Sequence, residues 1–283
     1  MEIKKVGIAG CGLMGSGIAQ VCIQAGYQVV VSEINDELLN KGINSIKANF
    51  DRNVQKGRMK EEDAKAALGR LKGTTEIRDF ADCDLIIEAV IELMEEKKKL
   101  LSTLDKICPE STIFASNTSS LSIIEMASAT NRPDRVLGLH FFNPVPVMRL
   151  IELVHSLATS DETVNTAAEF GRSLGKEVVI VKDSPGFLVN LLLTPLLHEA
   201  MKALESGLAT MEDIDTAVRL GLNHPMGPFT LADLIGLDTL YRISSAIYEE
   251  IKDPRFAPPP RLKQMVLAGW LGRKTGKGFY EYK

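Results

Sequence analysis

The chain has 283 residues, of which 45% are hydrophobic and 25% charged, with a formal net charge of -4 at pH 7 and a pI near 5.7. That length exceeds one simple core and suits two domains, and the acidic balance excludes a general nucleic-acid-binding surface. No apolar run reaches the roughly 20 residues of a membrane span. The segment Met1–Lys5 leads straight into a strand, so no signal peptide is expected. Cys11, Cys22, Cys83 and Cys108 form no C-x-x-C pair and no Cys/His cluster. They imply no metal and no disulfide framework, and a reducing, cytoplasmic setting is expected.

In chain order, Val6-Gly7-Ile8-Ala9 is a short apolar strand that ends in glycines. Gly10-Cys11-Gly12-Leu13-Met14-Gly15 follows and matches G-x-G-x-x-G. Gly10 permits a tight turn, Gly12 lets backbone approach a pyrophosphate, and Gly15 lets helix and strand pack closely. Cys11 inside this loop is expected to be a tolerated small residue, not a nucleophile. Ile18–Ala25 reads as an apolar helix closed by Gly26, and Val29–Val31 as the second strand. Glu33 lies at that strand's end, 18 positions after Gly15. A carboxylate there accepts hydrogen bonds from an adenosine ribose and repels a 2′-phosphate, so NAD is expected over NADP. Such a β-α-β opening predicts a doubly wound sheet.

Residues 36–72 interrupt the alternation with a helical hairpin broken near Gly57. Within 41–72 there are nine Lys or Arg against four Asp or Glu, a balance of +5, which leaves -9 for the rest of the chain. By composition alone, a solvated helical face explains this as well as a binding surface does. Apolar runs at Asp84–Ala89, Thr112–Ala115, Val136–Phe141, Leu150–Val154 and Val178–Val181 then alternate with helical stretches. That pattern implies a mostly parallel sheet covered on both faces. After Asp183-Ser184-Pro185-Gly186 only helical patterns remain, over 187–206, 211–220, about 229–251 and 260–270. We therefore expect a Rossmann-type domain over 1–184 and an all-α domain over 185–283 that supplies substrate and subunit contacts.

Two segments carry the chemistry. Ser116-Asn117-Thr118-Ser119-Ser120 follows a strand and sits where ligands bind in open α/β sheets, with one of its hydroxyls expected to cap a helix. His140 ends another strand, and Glu152 lies 12 residues on, inside the apolar Leu150-Ile151-Glu152-Leu153-Val154. A glutamate inside an apolar strand needs a partner. Antiparallel return strands would bring His140 to it and make the imidazole a better base. A lone histidine is more often structural, but the glutamate, the serine loop and the glycine loop favour catalysis here.

Taken together, GCGLMGSGIAQ, SNTSSLSI, GLHFFNPVPVMRLIELV, DSPGFLVN, HPMGPFTLADLIGLD and the closing Gly272–Tyr280 resemble L-3-hydroxyacyl-CoA dehydrogenases end to end. In its compact two-domain length the chain resembles the stand-alone 3-hydroxybutyryl-CoA dehydrogenases more than a multifunctional chain. The resemblance implies oxidation of a short-chain L-3-hydroxyacyl-CoA by NAD (NADP being possible), and the reverse reduction of a ketoacyl-CoA such as acetoacetyl-CoA. It implies His140 as base, Glu152 as its orienting partner, and Ser119 and Asn190 as hydrogen-bond donors to substrate oxygens. Glu33, Glu92, Lys97, Ser119, Asn143 and Lys274 match cofactor-contacting positions, beside the loop Gly10-Cys11-Gly12-Leu13-Met14-Gly15. Arg52 and Lys56, on the basic hairpin, match the region that meets CoA phosphates. A homodimer or higher homo-oligomer is implied as well. The family usually has arginine after the motif asparagine, whereas Leu191 follows Asn190 here. The enzyme alternative is a related dehydrogenase of a free hydroxy or sugar acid, which would not need the basic hairpin. A non-catalytic NAD sensor would be expected to have lost His140 or Glu152.

Overall fold

A computed structural model describes residues 1–282. Two compact units divide at Asp183 and Ser184.

The first unit holds one eight-stranded sheet, composed of β1 (Lys5–Ala9), β2 (Gln28–Ser32), β3 (Leu71–Thr74), β4 (Leu85–Glu88), β5 (Ile113–Ser116), β6 (Val136–Phe141), β7 (Leu150–His155) and β8 (Glu177–Lys182). Their order is β3-β2-β1-β4-β5-β6-β7-β8. Every neighbouring pair is parallel except β6 and β7, which run antiparallel. The central strands are wholly buried because helices cover both faces, which is why Leu85-Ile86-Ile87 and Ile113-Phe114-Ala115 lack polar alternation. The helices are α1 (Leu13–Gln24), α2 (Asp36–Gln55), α3 (Glu61–Leu68), α4 (Met94–Ile107), α5 (Ile123–Ala127) and α6 (Asp161–Ser173). This is a Rossmann-type α/β fold with α2 and α3 inserted as a helical hairpin.

The hairpin is shorter than expected. It ends at Leu68, and Leu71–Thr74 is a strand at the sheet edge, paired with β2. Its sequence, Leu-Lys-Gly-Thr, is half exposed and has one fully buried side of a single residue, Thr74, so no apolar periodicity marks it. Gly57, with φ +65, makes the break between α2 and α3.

The second unit, from Ser184, is all helical: α7 (Val189–Glu205), α8 (Met211–Gly221), α9 (Pro228–Ile235), α10 (Leu237–Ile251) and α11 (Pro260–Leu267). The expected helix over 229–251 is two helices, because Gly236 adopts φ +98 between them. Leu197, Met201, Phe229, Leu237, Leu240 and Leu262 pack as its core. Two buried carboxylates tie the chain together, each with several donors, as burial of a charge requires. Asp215 accepts from the amides of Phe229 and Thr230 at the start of α9. Asp233 accepts from the amides of Phe279 and Tyr280 and from the Tyr282 hydroxyl.

His198 on α7 is fully buried, with Nδ1 3.1 Å from the Arg255 carbonyl and Nε2 2.9 Å from Ser244 Oγ. Burial, which outweighs the carbonyl bond, pushes its pKa below the ordinary 6.5. The unfolded chain then binds a proton that the folded chain resists. Its contribution to stability is complete above about pH 6.5 and falls as pH drops below it. Urea midpoints measured between pH 7 and 5 should therefore fall more steeply for the native chain than for His198→Gln. Parallel profiles would show that His198 titrates normally.

Candidate active site

The glycine loop leaves β1 through Gly10, at φ +100, where a Cβ would lie 2.6 Å from the Ala89 carbonyl oxygen. A Cβ on Gly15 would lie 1.8 Å from the Gly10 carbonyl oxygen, so helix and loop touch through bare backbone there. Gly12, by contrast, faces open space, and it begins α1 with no side chain capping the helix. An open floor over an uncapped helix N-terminus suits a pyrophosphate. Leu13 and Met14 form the first turn above it. Glu33, just past β2, accepts the Cys11 amide at 2.8 Å on Oε1 and the Ile34 amide at 3.1 Å on Oε2. Its carboxylate is thus fixed at the rim of the loop, where a ribose would lie. The residues present fit NAD. Cys11 is buried, and burial, followed by the charge of Glu33, pushes its thiol up to about 12. It is a packed thiol, not a nucleophile.

Beside the loop lies a charged cluster built by β4, β5 and α4. Glu88 ends β4, fully buried. Its Oε1 accepts from Lys97 Nζ at 2.6 Å and from the Val90 amide at 2.7 Å, and its Oε2 from Ser116 Oγ at 2.6 Å. Lys97, only 1% exposed, also pairs with Glu92 Oε2 at 3.0 Å. Glu92 Oε1 in turn accepts from Thr118 Oγ1 at 2.5 Å and from the Ser119 amide at 3.0 Å. Burial alone would raise the Glu92 carboxyl. The Lys97 charge and these hydrogen bonds outweigh it and hold the group below its ordinary value. Ser116 and Thr118 therefore spend their hydroxyls on carboxylates. The helix after this loop, α5, is capped instead by Ser122, whose Oγ accepts the Glu125 amide. The expected cap within 116–120 lies two residues later because the loop is longer than its sequence suggests.

His140 and Glu152 are direct cross-strand partners in the antiparallel β6–β7 ladder. His140 Nδ1 lies 2.8 Å from Glu152 Oε2, with the glutamate fully buried and the His140 side chain 8% exposed. The Phe142 ring packs against the imidazole at 4.4 Å between centroids. Asn117 joins this strand to the serine loop: its Oδ1 accepts the Phe141 amide at 2.9 Å. Asn143 follows in the turn and precedes a cis Pro144. Buried Lys176 clamps that turn by donating to the carbonyls of Val145 and Met148 at 2.6 and 2.7 Å.

In the first unit the glycine loop, Glu33, Glu92, Ser119 and Asn143 follow the carboxyl ends of β1, β2, β4, β5 and β6, His140 lies near the end of β6 opposite Glu152 at the start of antiparallel β7, and Lys97 reaches in from α4. Arg52 and Lys56 stand apart from them, exposed at the far end of α2. In the second unit Asn190 is buried in the first turn of α7, and Lys274 Nζ pairs with Asp238 at 2.5 Å. Glu88, Ser116, Asn117 and Lys176 were not singled out individually by the sequence reading. For Glu88 a signal existed, since it is a carboxylate at the end of an apolar run, as Glu152 is.

The NAD binding domain of 3-hydroxyacyl-CoA dehydrogenase matches residues 5–184, and the C-terminal domain of the same enzyme matches residues 186–282. The chain belongs to the 3-hydroxyacyl-CoA dehydrogenase family. It is 48% identical over 282 residues to a 3-hydroxybutyryl-CoA dehydrogenase of Mycobacterium tuberculosis, covering 99% of each chain. To the mitochondrial hydroxyacyl-coenzyme A dehydrogenase of Homo sapiens it is 43% identical over 291 residues, covering 99% of this chain and 92% of the other. The crystal structure of an (S)-3-hydroxybutyryl-CoA dehydrogenase from Ralstonia eutropha superposes with a TM-score of 0.96 at 46% identity, covering 100% of both chains. As in that family, the cofactor is NAD.

Removing the Glu33 carboxylate should weaken NADH binding and relax discrimination against NADPH. A hydrogen bond to a charged group contributes about 1.5–3 kcal/mol, so Glu33→Ser should raise the NADH dissociation constant roughly 10- to 100-fold. Fluorescence titration with both cofactors checks this, and an unchanged NADH affinity would remove Glu33 from the cofactor site.

Proposed function

We propose that this family member interconverts short-chain L-3-hydroxyacyl-CoA and 3-ketoacyl-CoA, 3-hydroxybutyryl-CoA and acetoacetyl-CoA above all, with His140 and Glu152 as its acid–base dyad. The single observation that carries the reading is the buried 2.8 Å contact between His140 and Glu152 in paired strands of a dinucleotide-binding sheet.

The neutral imidazole donates Nδ1–H to Glu152, which leaves Nε2 as the nitrogen that takes the substrate hydroxyl proton. Glu152, fully buried, stabilises the imidazolium that results and keeps the ring oriented. NAD, held at the glycine loop and Glu33, would supply the hydride acceptor for oxidation of the alcohol. In the reverse direction protonated His140 stabilises developing charge on the ketone oxygen and then returns the proton. Ser119 and Asn190 donate hydrogen bonds to substrate oxygens. Glu92, Lys97, Asn143 and Lys274 take part in holding the cofactor, with Lys97 acting mainly through the two carboxylates that it bridges. Arg52 and Lys56 meet the CoA phosphates at the end of α2. We further infer that the enzyme works as a cytoplasmic homodimer assembled through its helical unit. Among the described residues no helix is long and apolar enough to cross a membrane.

His140→Asn should lower kcat at least about 100-fold, within the range of general acid–base catalysis. Glu152→Gln should also lower kcat strongly while leaving NADH affinity nearly unchanged. Near-normal turnover by either variant, with acetoacetyl-CoA and NADH, would remove the dyad from the mechanism.

The basic hairpin gives a separate test of the substrate's nucleotide. Arg52→Ala combined with Lys56→Ala should raise KM for acetoacetyl-CoA roughly tenfold. For acetoacetyl-pantetheine, which lacks the nucleotide, KM should not change. An equal loss with both substrates would point to a disturbed fold, and no loss with either would leave the hairpin a solvated face.

A further inference from the structure

We propose that Glu88 is a positioning residue for the reaction, holding the loop that carries Ser119 through Lys97 and Ser116. The inference rests on the role given to Ser119 above and deepens it.

The geometry supplies two routes from this fully buried carboxylate to one loop. On one side, Glu88 Oε2 accepts the Ser116 hydroxyl at 2.6 Å, and Ser116 Oγ accepts the Thr118 amide at 3.2 Å. On the other, Glu88 Oε1 holds Lys97, Lys97 holds Glu92, and Glu92 holds both the Thr118 hydroxyl and the Ser119 amide. A carboxylate that only neutralised Lys97 would need one oxygen and no contact with β5. Glu88 uses both oxygens, Oε1 for Lys97 and the Val90 amide and Oε2 for Ser116, and both chains of contact end within two residues of Ser119.

The charge count shows why the arrangement is sensitive. One ammonium serves two carboxylates, at 2.6 Å from Glu88 and 3.0 Å from Glu92. If Glu88 were neutral, Lys97 would retain only Glu92 and move toward it. The oxygen that fixes the Ser119 amide belongs to the carboxylate being pulled. Removing one negative charge would thus shift Ser119 without emptying the core, since Glu88→Gln keeps an amide oxygen and nearly the same volume. A displacement on the order of 1 Å at a reacting centre costs up to about 100-fold in rate.

The test is a double-substitution cycle on kcat for reduction of acetoacetyl-CoA by NADH, using Glu88→Gln, Ser119→Ala and the pair. We expect Glu88→Gln to lower kcat about 10- to 100-fold in the native background. In the Ser119→Ala background it should lower kcat no more than about twofold, because residues acting through one group are not additive. Equal losses in both backgrounds would make Glu88 a general structural residue and overturn the proposal while leaving the role of Ser119 intact. A Ser119→Ala enzyme with full turnover would instead overturn the role of Ser119, and the proposal with it. An unimpaired Glu88→Gln enzyme overturns the proposal alone. Should Glu88→Gln fail to fold, Glu88→Asp gives the same cycle, since it keeps the buried charge but is one methylene short of spanning Lys97 and Ser116.

Discussion

A carboxylate taken out of water must find a partner or give up its charge, and the candidate site is organised by two such groups, Glu152 and Glu88, both fully buried. Each sits on a strand whose neighbours are apolar, so each draws a side chain from another element. For Glu152 that element is β6, which brings His140. For Glu88 it is α4, which brings Lys97, together with β5, which brings Ser116. The need to satisfy two buried charges therefore fixes where a histidine, a serine loop and a lysine stand relative to the end of the sheet.

The antiparallel β6–β7 pair is what makes the dyad possible. Every other neighbouring pair in the sheet is parallel and needs a long crossover, whereas β6 and β7 are joined by a turn of eight residues, 142–149. Direct opposition of His140 and Glu152 places both side chains on one face, and a slip of one residue would send Glu152 to the other. The turn is correspondingly well held, by Lys176 on the Val145 and Met148 carbonyls and by Asn117 on the Phe141 amide. Asn117 also belongs to the serine loop, so one side chain ties the base strand to the loop carrying Ser119.

Much of this was legible in the chain itself, because the features concerned are local or periodic. The glycine loop is a contiguous motif, and the buried strands are unbroken apolar runs. The His140–Glu152 pair could be reasoned from the desolvation cost of one glutamate in an apolar strand. Three features escaped for physical reasons. The strand Leu71–Thr74 lies at an edge, half exposed, so it has no apolar signature. The split of 229–251 depends on the backbone of Gly236 alone. The cap at Ser122 was assigned too early because the hydroxyls before it serve Glu88 and Glu92, a long-range demand that no local pattern reports. Glu88 itself met the same criterion as Glu152. Its partner lies nine residues on, beyond a loop and on a helix, where strand pairing offers no guide to register.

The separation of the two electrostatic systems has a consequence for how they can act. Gly42 of α2 packs against Cys11 of the glycine loop, and Arg52 lies ten residues further along the helix, or about 15 Å at 1.5 Å per residue. That is roughly two Debye lengths at physiological salt, so exposed charge at the hairpin's end is largely screened from groups beside the glycine loop. The network of Glu88, Lys97 and Glu92 is short-ranged for another reason. Lys97 lies 2.6 Å from buried Glu88, a pair that salt hardly reaches, and 3.0 Å from Glu92, whose side chain is 37% exposed at the rim. Exposed charge on the hairpin thus suits the attraction of a phosphate-bearing group proposed above, while buried charge at the strand ends suits positioning. The two roles proposed here fall on separate elements, the inserted hairpin and the strand ends, so that one can vary in length and charge without disturbing the geometry of the other.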